Sequence, residues 1–206
     1  AHGLRHGSPV LTLPTNAERH GGGAAAPFAA MIDFSRNYFD LFGLPDRFRF
    51  DPAVLDQAYR ALQTQVHPDR FAGGSDAERR VALQSSARVN EAYRALKDPV
   101  ARAQYLLRIH GVDAAGETDT RLPLAFLEQQ LERREAAEDA LAAGDVRTLS
   151  ALRDAVRADG ARLEDRLAQM LDAEHAYADA RGEVRQLTFL AKLADDLDEL
   201  VASLDP

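Results

Sequence analysis

The sequence predicts an all-α protein in which a helical hairpin precedes a three-helix bundle. Two observations lead to this fold class. After residue 50, Ala, Leu, Arg, Glu and Asp dominate, and the apolar residues recur at spacings of three and four, which is the period of an amphipathic helix. Glycine and proline, which interrupt helices, are concentrated near the front of the 206-residue chain.

The first element is a flexible N-terminal extension over residues 1–34. It contains the run GGGAAAP and has no steady hydrophobic period, so we expect a tag or other non-native upstream sequence, with Met31 as a natural start. A targeting peptide is the alternative. Its three histidines, His2, His6 and His20, match no spacing of metal ligands, and we predict neither a metal site nor a cofactor.

The helical hairpin is predicted from strong start and stop signals. NYFDLFGLP (37–45) reads as a short helix that Gly43 ends, and Asp51 followed by Pro52 is typical of a helix start. The helix that follows should end at His67, because a residue before proline is pushed out of the α region. Its apolar face consists of Leu55, Ala58, Tyr59, Leu62 and Val66.

A polar loop closed by Gly73, Gly74 and Ser75 leads into the second hairpin helix, which begins near Asp76. Asp98–Pro99 ends that helix, and a short helix over about 99–110 follows. The predicted buried stripe of the second helix consists of Ala82, Ser86, Val89, Tyr93 and Leu96.

A polar linker (111–122) separates the hairpin unit from three further helices at about 123–142, 145–176 and 179–204, with Pro123 in the first turn. The second and third of these carry seams at three-and-four spacing, which predicts a bundle with coiled-coil-like packing. The seam residues are Leu149, Leu152, Val156, Leu163, Leu167 and Met170 in one helix, and Leu190, Leu193, Leu197, Leu200 and Leu204 in the other.

Composition excludes several classes of function. The chain has no cysteine, so it has neither a disulfide nor a thiol nucleophile, and no apolar run is as long as a membrane span. Of its net charge of −8, residues 36–110 carry 12 basic and 9 acidic residues, whereas 111–206 carry 11 and 22. An acidic second half argues against nucleic acid as the ligand and indicates two domains with different partners.

The loop between the hairpin helices contains His67, Pro68 and Asp69. Proline stiffens the turn, and the aspartate carboxylate on it can accept paired hydrogen bonds from an arginine. Set between these helices and followed by LKDPVARAQY (96–105), the motif makes residues 37–107 resemble the J-domain, the module that activates the ATPase of heat-shock-70-type chaperones. The resemblance implies that the three motif residues engage the chaperone.

Basic residues near the motif should help to attract the acidic chaperone surface. The positions are Arg60 on the first hairpin helix and Arg70 in the loop. The first helix departs from the J-domain pattern of several exposed basic residues, because Gln63, Thr64 and Gln65 follow Arg60. We therefore expect weaker or differently placed electrostatic steering.

From Ser35 onward the chain resembles one J-protein family, the HscB-type co-chaperones of iron–sulfur cluster assembly. The segments that carry this resemblance are NYFDLFGLP, HPDRFAGGSDAE, LKDPVARAQYLLRIHG, AFLEQQLERREA and LTFLAKL. It implies a J-domain over 35–110 and a bundle over 123–206 that binds an IscU-type scaffold protein. The implied scaffold-binding positions are Leu127, Leu131, Glu132, Arg134, Glu135 and Phe189, and Glu128 stands where an apolar residue is common.

A helical wheel bears on the scaffold site independently. At about 100° per residue, Leu124, Leu127 and Leu131 share one face of the first bundle helix. A second face groups Phe126, Ala137, Ala140 and Leu141, and Phe189 lies off the leucine seam of its own helix. Either one apolar face packs the bundle and the other meets a partner, or both faces are core.

We therefore expect a cytoplasmic, non-enzymatic co-chaperone that stimulates an HscA-type chaperone and delivers the iron–sulfur scaffold to it. One alternative is a J-domain protein that serves a different client. A second is a helical adapter without a link to an ATPase. A small hydrolase is the most remote alternative, because no serine of the sequence has a recognisable supporting motif for a nucleophile, and there is no cysteine.

Overall fold

The computed structural model describes residues 32–113 and 122–204, and all of the regular secondary structure in these ranges is helical. The predicted extension falls almost wholly on residues 1–31, and most of the predicted linker falls on 114–121, so both lie outside the described residues. The α-helices are α1 Tyr38–Phe42, α2 Pro52–Val66, α3 Asp76–Lys97, α4 Pro99–Ile109, α5 Leu124–Ala142, α6 Val146–Ala168 and α7 Tyr177–Leu204.

The predicted helix boundaries of the hairpin unit are confirmed, because local capping sets them. The Asp51 side chain accepts a hydrogen bond from the Ala53 amide ahead of α2. Ser75 and Glu78 form a reciprocal capping box that starts α3. Gly43 ends α1 in the left-handed region at φ 65°, where a side chain would be strained.

The hairpin of α2 and α3 packs on α1 and α4 around one apolar core. The fully buried members include Phe39, Phe48, Leu55, Val89, Leu96, Leu106 and Leu107. On α3 the buried stripe differs from the predicted one at two positions: Ser85 and Ala92 are buried, whereas Ser86 and Tyr93 are half-buried. The reason is that α2 lies to one side of the stripe and Tyr93 faces it, stacked on Tyr59 at 4.0 Å between ring centroids.

The second unit is built on the long antiparallel pair α6 and α7, with α5 packed across it. Both predicted leucine seams are confirmed as buried or half-buried. Three boundaries differ slightly from the prediction. Pro123 precedes α5 rather than lying in its first turn, α6 changes to a π-helical turn over Gln169–Ala173, and α7 begins at Tyr177.

The two units meet where the α1–α2 loop and α4 contact the α6–α7 turn. The Asp172 carboxylate accepts hydrogen bonds from the main-chain amides of Phe48, at 2.7 Å, and Arg49, at 2.9 Å. The Arg49 side chain pairs with Asp165 at 2.6 Å. The ring of His110, at the end of α4, stacks on Tyr177 with 3.8 Å between centroids. These contacts join the hairpin unit directly to the bundle.

Within the described ranges, no helix combines the length and the hydropathy needed to cross a bilayer.

Candidate functional sites

The loop of the hairpin is ordered by His67 and Pro68. His67 ends α2 with ψ at 127°, and Pro68 opens a 3₁₀ turn that runs to Phe71. The His67 Nδ1 atom accepts a hydrogen bond from the Asp69 amide at 3.3 Å, and the His67 carbonyl accepts one from the Arg70 amide at 3.1 Å. His67 therefore fixes the turn through local hydrogen bonds.

Asp69 is presented to solvent by this turn. Its side chain is 90% exposed, and its Oδ2 atom lies 3.6 Å from His67 Nδ1. No arginine of the described residues forms an ion pair with Asp69, and its carboxylate lies beside the His67 ring within the turn itself. Its carboxylate therefore keeps acceptor capacity for a donor on another molecule.

Neighbouring side chains attach the turn to the hairpin. Val66 is buried in the core and Phe71 is half-buried. The Arg70 guanidinium donates to the Thr64 carbonyl at 3.0 Å, which satisfies a carbonyl in the last turn of α2. Arg60 is exposed two helical turns before His67, about 10 Å along the axis. The structure thus brings the motif and Arg70 together and leaves Arg60 on the adjoining helix.

Polar contacts between α2 and α3 stiffen the support of the loop. Tyr59 donates to Asn90 Oδ1 at 2.9 Å, and Lys97 binds both oxygens of Asp56 at 2.7 and 2.9 Å. The hydrogen bond from Lys97 holds the pKa of Asp56 below its ordinary range, with a further contribution from Tyr93. The loop is therefore carried on two helices that hydrogen bonds and an ion pair join along their length.

The second candidate site lies on α5, whose two apolar faces have different surroundings. Leu124, Leu127 and Leu131 are 71%, 42% and 58% exposed. On the second face, Ala137 and Ala140 are buried. The interpretation in which both faces are core is therefore wrong, and among residues 32–113 and 122–204 nothing covers the leucine face. Leu141, which the wheel groups with the buried face, is at its exposed edge.

A cleft of about 200 Å³ opens beside this leucine face, between α5 and α7. Four residues predicted to bind the scaffold line it, namely Leu127, Leu131, Arg134 and Phe189. Phe189 is half-buried rather than freely projecting, because its ring meets Phe126 edge-on at 5.6 Å. Two residues complete the lining, Gln130 and Leu193. The volume suits one large aliphatic or aromatic side chain.

The two predicted acidic residues of this site lie beside the cleft and not in it. Glu132 and Glu135 are exposed and are absent from the cleft lining. Glu128 shares their side of α5 and is exposed as well. Together they form an acidic border to an apolar cleft.

Gln130 is the residue of this site that the sequence interpretation missed. It is only 4% exposed, and its Oε1 atom accepts a hydrogen bond from Arg133 at 3.2 Å. Arg133 in turn forms an ion pair with Asp159 of α6, in which both side chains are largely buried, and burial lowers the pKa of the Arg133 guanidinium. The helical wheel contained a signal, since Gln130 falls on the same side of α5 as Phe126 and Ala137.

The fold and the loop define a J-domain protein, and comparison with known proteins agrees: the family model described as "DnaJ domain" matches residues 37–105. A second family model, "HSCB C-terminal oligomerisation domain", matches residues 122–198. The chain belongs to the HscB co-chaperone family.

Curated relatives and solved structures agree with this assignment. The chain is 47% identical to the HscB homologue of Burkholderia multivorans over 85% of this chain and 99% of that protein. It is 44% identical to the homologue of Aromatoleum aromaticum, over 84% and 98%. The structure of chaperone HscB from Vibrio cholerae superposes with a TM-score of 0.73 at 36% identity, covering 82% of this chain and 99% of that one. Human HscB gives 0.73 at 26% identity, over 82% and 83%.

Proposed function

We propose that this protein is a cytoplasmic, non-enzymatic co-chaperone of iron–sulfur protein maturation. It binds an IscU-type scaffold protein on its bundle and presents the scaffold to an HscA-type chaperone of the heat-shock-70 class. Its J-domain raises ATP hydrolysis by that chaperone. The observation that carries the proposal is the presence, on one chain of this family, of an exposed His67–Pro68–Asp69 turn and an exposed leucine face on α5.

The geometry of the loop supports the role proposed for it. His67 and Pro68 hold the turn, so the Asp69 carboxylate meets its partner with little further ordering. We assign it an arginine of the chaperone, since a carboxylate can accept two parallel hydrogen bonds from a guanidinium. Arg60 and Arg70 supply positive charge beside the loop and draw it toward an acidic surface.

The role proposed for the bundle rests on the exposed leucines. Leu127, Leu131 and Phe189 surround a cleft that takes an apolar side chain of the scaffold. Fully desolvated apolar anchors supply most of the affinity of a protein interface. Arg134 at the cleft, with Glu132 and Glu135 beside it, forms the polar rim that sets orientation and selects the partner.

Carrying both sites on one chain makes the delivery efficient. Once the scaffold is bound to the bundle, its encounter with the chaperone becomes intramolecular within the complex, and two weak contacts act together. ATP hydrolysis then locks the chaperone onto the scaffold.

The proposal is tested by single-turnover ATP hydrolysis by an HscA-type chaperone, with this protein added in the presence and absence of purified scaffold. We expect stimulation by the wild type, its loss in Asp69→Asn, and loss of only the scaffold-dependent part in Leu127→Ala/Phe189→Ala. Leu141→Ala is the matched control for the bundle, since Leu141 is also exposed on α5 but about 21 Å from Leu127 along the helix.

Each alternative function gives a different result in this assay. Stimulation that is indifferent to scaffold would assign the bundle to another client. A folded wild type that does not stimulate at all would refute the proposed role of the loop and leave a helical adapter. ATP-independent turnover of a small substrate by this protein alone would indicate a hydrolase.

A further inference from the structure

We infer that Gln130 determines the specificity of the α5–α7 cleft, by donating a hydrogen bond to a main-chain carbonyl of the scaffold segment that enters it. The inference deepens the proposed function and rests on it. The leucine face offers apolar contacts only, whereas this inference assigns a directed polar contact to the floor of the cleft.

The orientation of the Gln130 amide is fixed by Arg133, which is itself held by Asp159. Asp159 pairs with Arg133, and the Arg133 guanidinium faces Gln130 Oε1 at 3.2 Å. A guanidinium has donors only, so the atom it meets must be the amide oxygen. The Nε2 atom therefore lies on the side away from Arg133.

The Nε2 atom has donor capacity that the described residues use poorly. It donates to Oε1 of the neighbouring Gln129 at 3.4 Å, which is near the limit of a hydrogen bond. An amide nitrogen carries two hydrogens, so at least one remains available. Gln130 is 4% exposed and lines the cleft with Leu127, Leu131 and Phe189.

These features define the chemistry of the group that fits. The cleft holds one large apolar side chain, and a donor at its floor requires an acceptor next to that side chain. In a continuous helix the main-chain carbonyls are already bonded within the helix. The scaffold segment should therefore present its apolar residue from an extended stretch or a helix C-terminus, where carbonyls are free.

A scaffold segment without such an acceptor is disfavoured. Binding would remove water from the Gln130 donor without supplying an acceptor. Leaving a buried donor unpaired costs more free energy than a typical hydrogen bond contributes. This is how a single amide selects among apolar segments of similar size.

Gln130→Glu is the most informative substitution, because it keeps the length and the acceptor for Arg133, removes the donor and adds a single negative charge. We expect it to weaken binding of purified scaffold about ten-fold, which corresponds to about 1.4 kcal/mol, as measured by isothermal titration calorimetry. Ala125→Glu is the charge-matched control, since Ala125 is exposed on α5 and does not line the cleft. Its affinity should stay within about two-fold of wild type. Gln130→Leu, which brings no charge into the cleft, should weaken binding by about five-fold.

A spectroscopic measurement separates donation from a packing role. The side-chain amide resonances of Gln130, assigned by their absence in Gln130→Glu, should shift downfield and exchange more slowly with solvent when scaffold binds. Gln130 variants that bind as tightly as wild type, or amide resonances that do not move while the Leu127 methyl groups do, would overturn this inference alone. Failure of the wild type to bind scaffold would overturn the proposed function together with it.

Discussion

Replacement of Asp172 by alanine removes a carboxylate that accepts two main-chain hydrogen bonds across the junction between the hairpin and the bundle. The bonds come from the amides of Phe48 and Arg49 in the α1–α2 loop. That loop leads directly into α2, which ends at His67. The substitution therefore loosens the hairpin from the bundle without touching either candidate site.

The magnitude follows from the surroundings of the two amides. Hydrogen bonds to a charged group contribute about 1.5–3 kcal/mol each when buried. The Phe48 amide is partly buried, whereas the Arg49 amide is exposed, so water replaces much of the second bond. We expect Asp172→Ala to lower the free energy of unfolding by about 2 kcal/mol, a fall in the melting midpoint of about 4–8 °C.

The assay is thermal and urea unfolding followed by circular dichroism, with two variants for comparison. Asp172→Asn keeps one side-chain oxygen and should lose about half as much stability as Asp172→Ala. Asp165→Ala removes the pair with Arg49 at the same junction, whose side chains are 60% and 70% exposed. Exposed pairs contribute about 0–1 kcal/mol, so this control should lie near the wild type.

An Asp172→Ala variant within about 0.5 kcal/mol of the wild type, or no less stable than Asp165→Ala, would refute this account of the junction. The hairpin would then be held to the bundle mainly by apolar and ring contacts such as that of His110 with Tyr177.

Three further predictions concern single side chains. Burial raises the pKa of Glu164, so the folded state binds this proton more tightly than the unfolded state. Stability is therefore lost as pH rises from the ordinary glutamate pKa through the raised one. Glu164→Gln should raise the midpoint of thermal unfolding at pH 7, and this gain should vanish when unfolding is measured at acid pH. Leu131→Ala should change stability by less than about 0.5 kcal/mol because Leu131 is 58% exposed, whereas Leu167→Ala, at a fully buried position, should cost about 2–5 kcal/mol in urea unfolding. Ser75→Ala breaks the capping box of α3 and should cost about 1 kcal/mol by the same measurement; no loss would contradict the assigned cap.

The helices of this protein could be predicted from sequence because their boundaries are set by neighbours along the chain. Asp51 with Pro52, and Ser75 with Glu78, act over two or three residues. The J-domain loop could be found for the same reason, since His67 bonds to the amide of Asp69 two residues later. Contacts between residues two or three apart can be predicted because both partners appear together in the sequence.

The junction and the floor of the cleft have no such signature. Asp172 is bound to main-chain amides more than 120 residues away, and a main-chain donor looks the same at every position of a sequence. Gln130 was missed because it ends the polar run Glu128–Gln129–Gln130, which is typical of an exposed helix face. The buried pair of Arg133 and Asp159 that holds it forms only when α5 packs on α6. Polar residues in contact across helices are set by tertiary packing and not by hydrophobic period.

The positions of the two sites relative to the junction bear on how they act together. From the α1–α2 loop, α2 runs about 22 Å to His67, and from the α6–α7 turn, α7 runs about 18 Å to Phe189. Since α2 begins three residues after Arg49 and α7 five residues after Asp172, the loop and the cleft are carried on helices that begin beside this junction. Because effective concentration depends on whether the geometry lets both sites engage at once, a loosened junction should reduce scaffold-dependent stimulation more than stimulation by the protein alone. Asp172→Ala in the ATPase assay distinguishes this coupling from simple tethering, in which both would be unaffected.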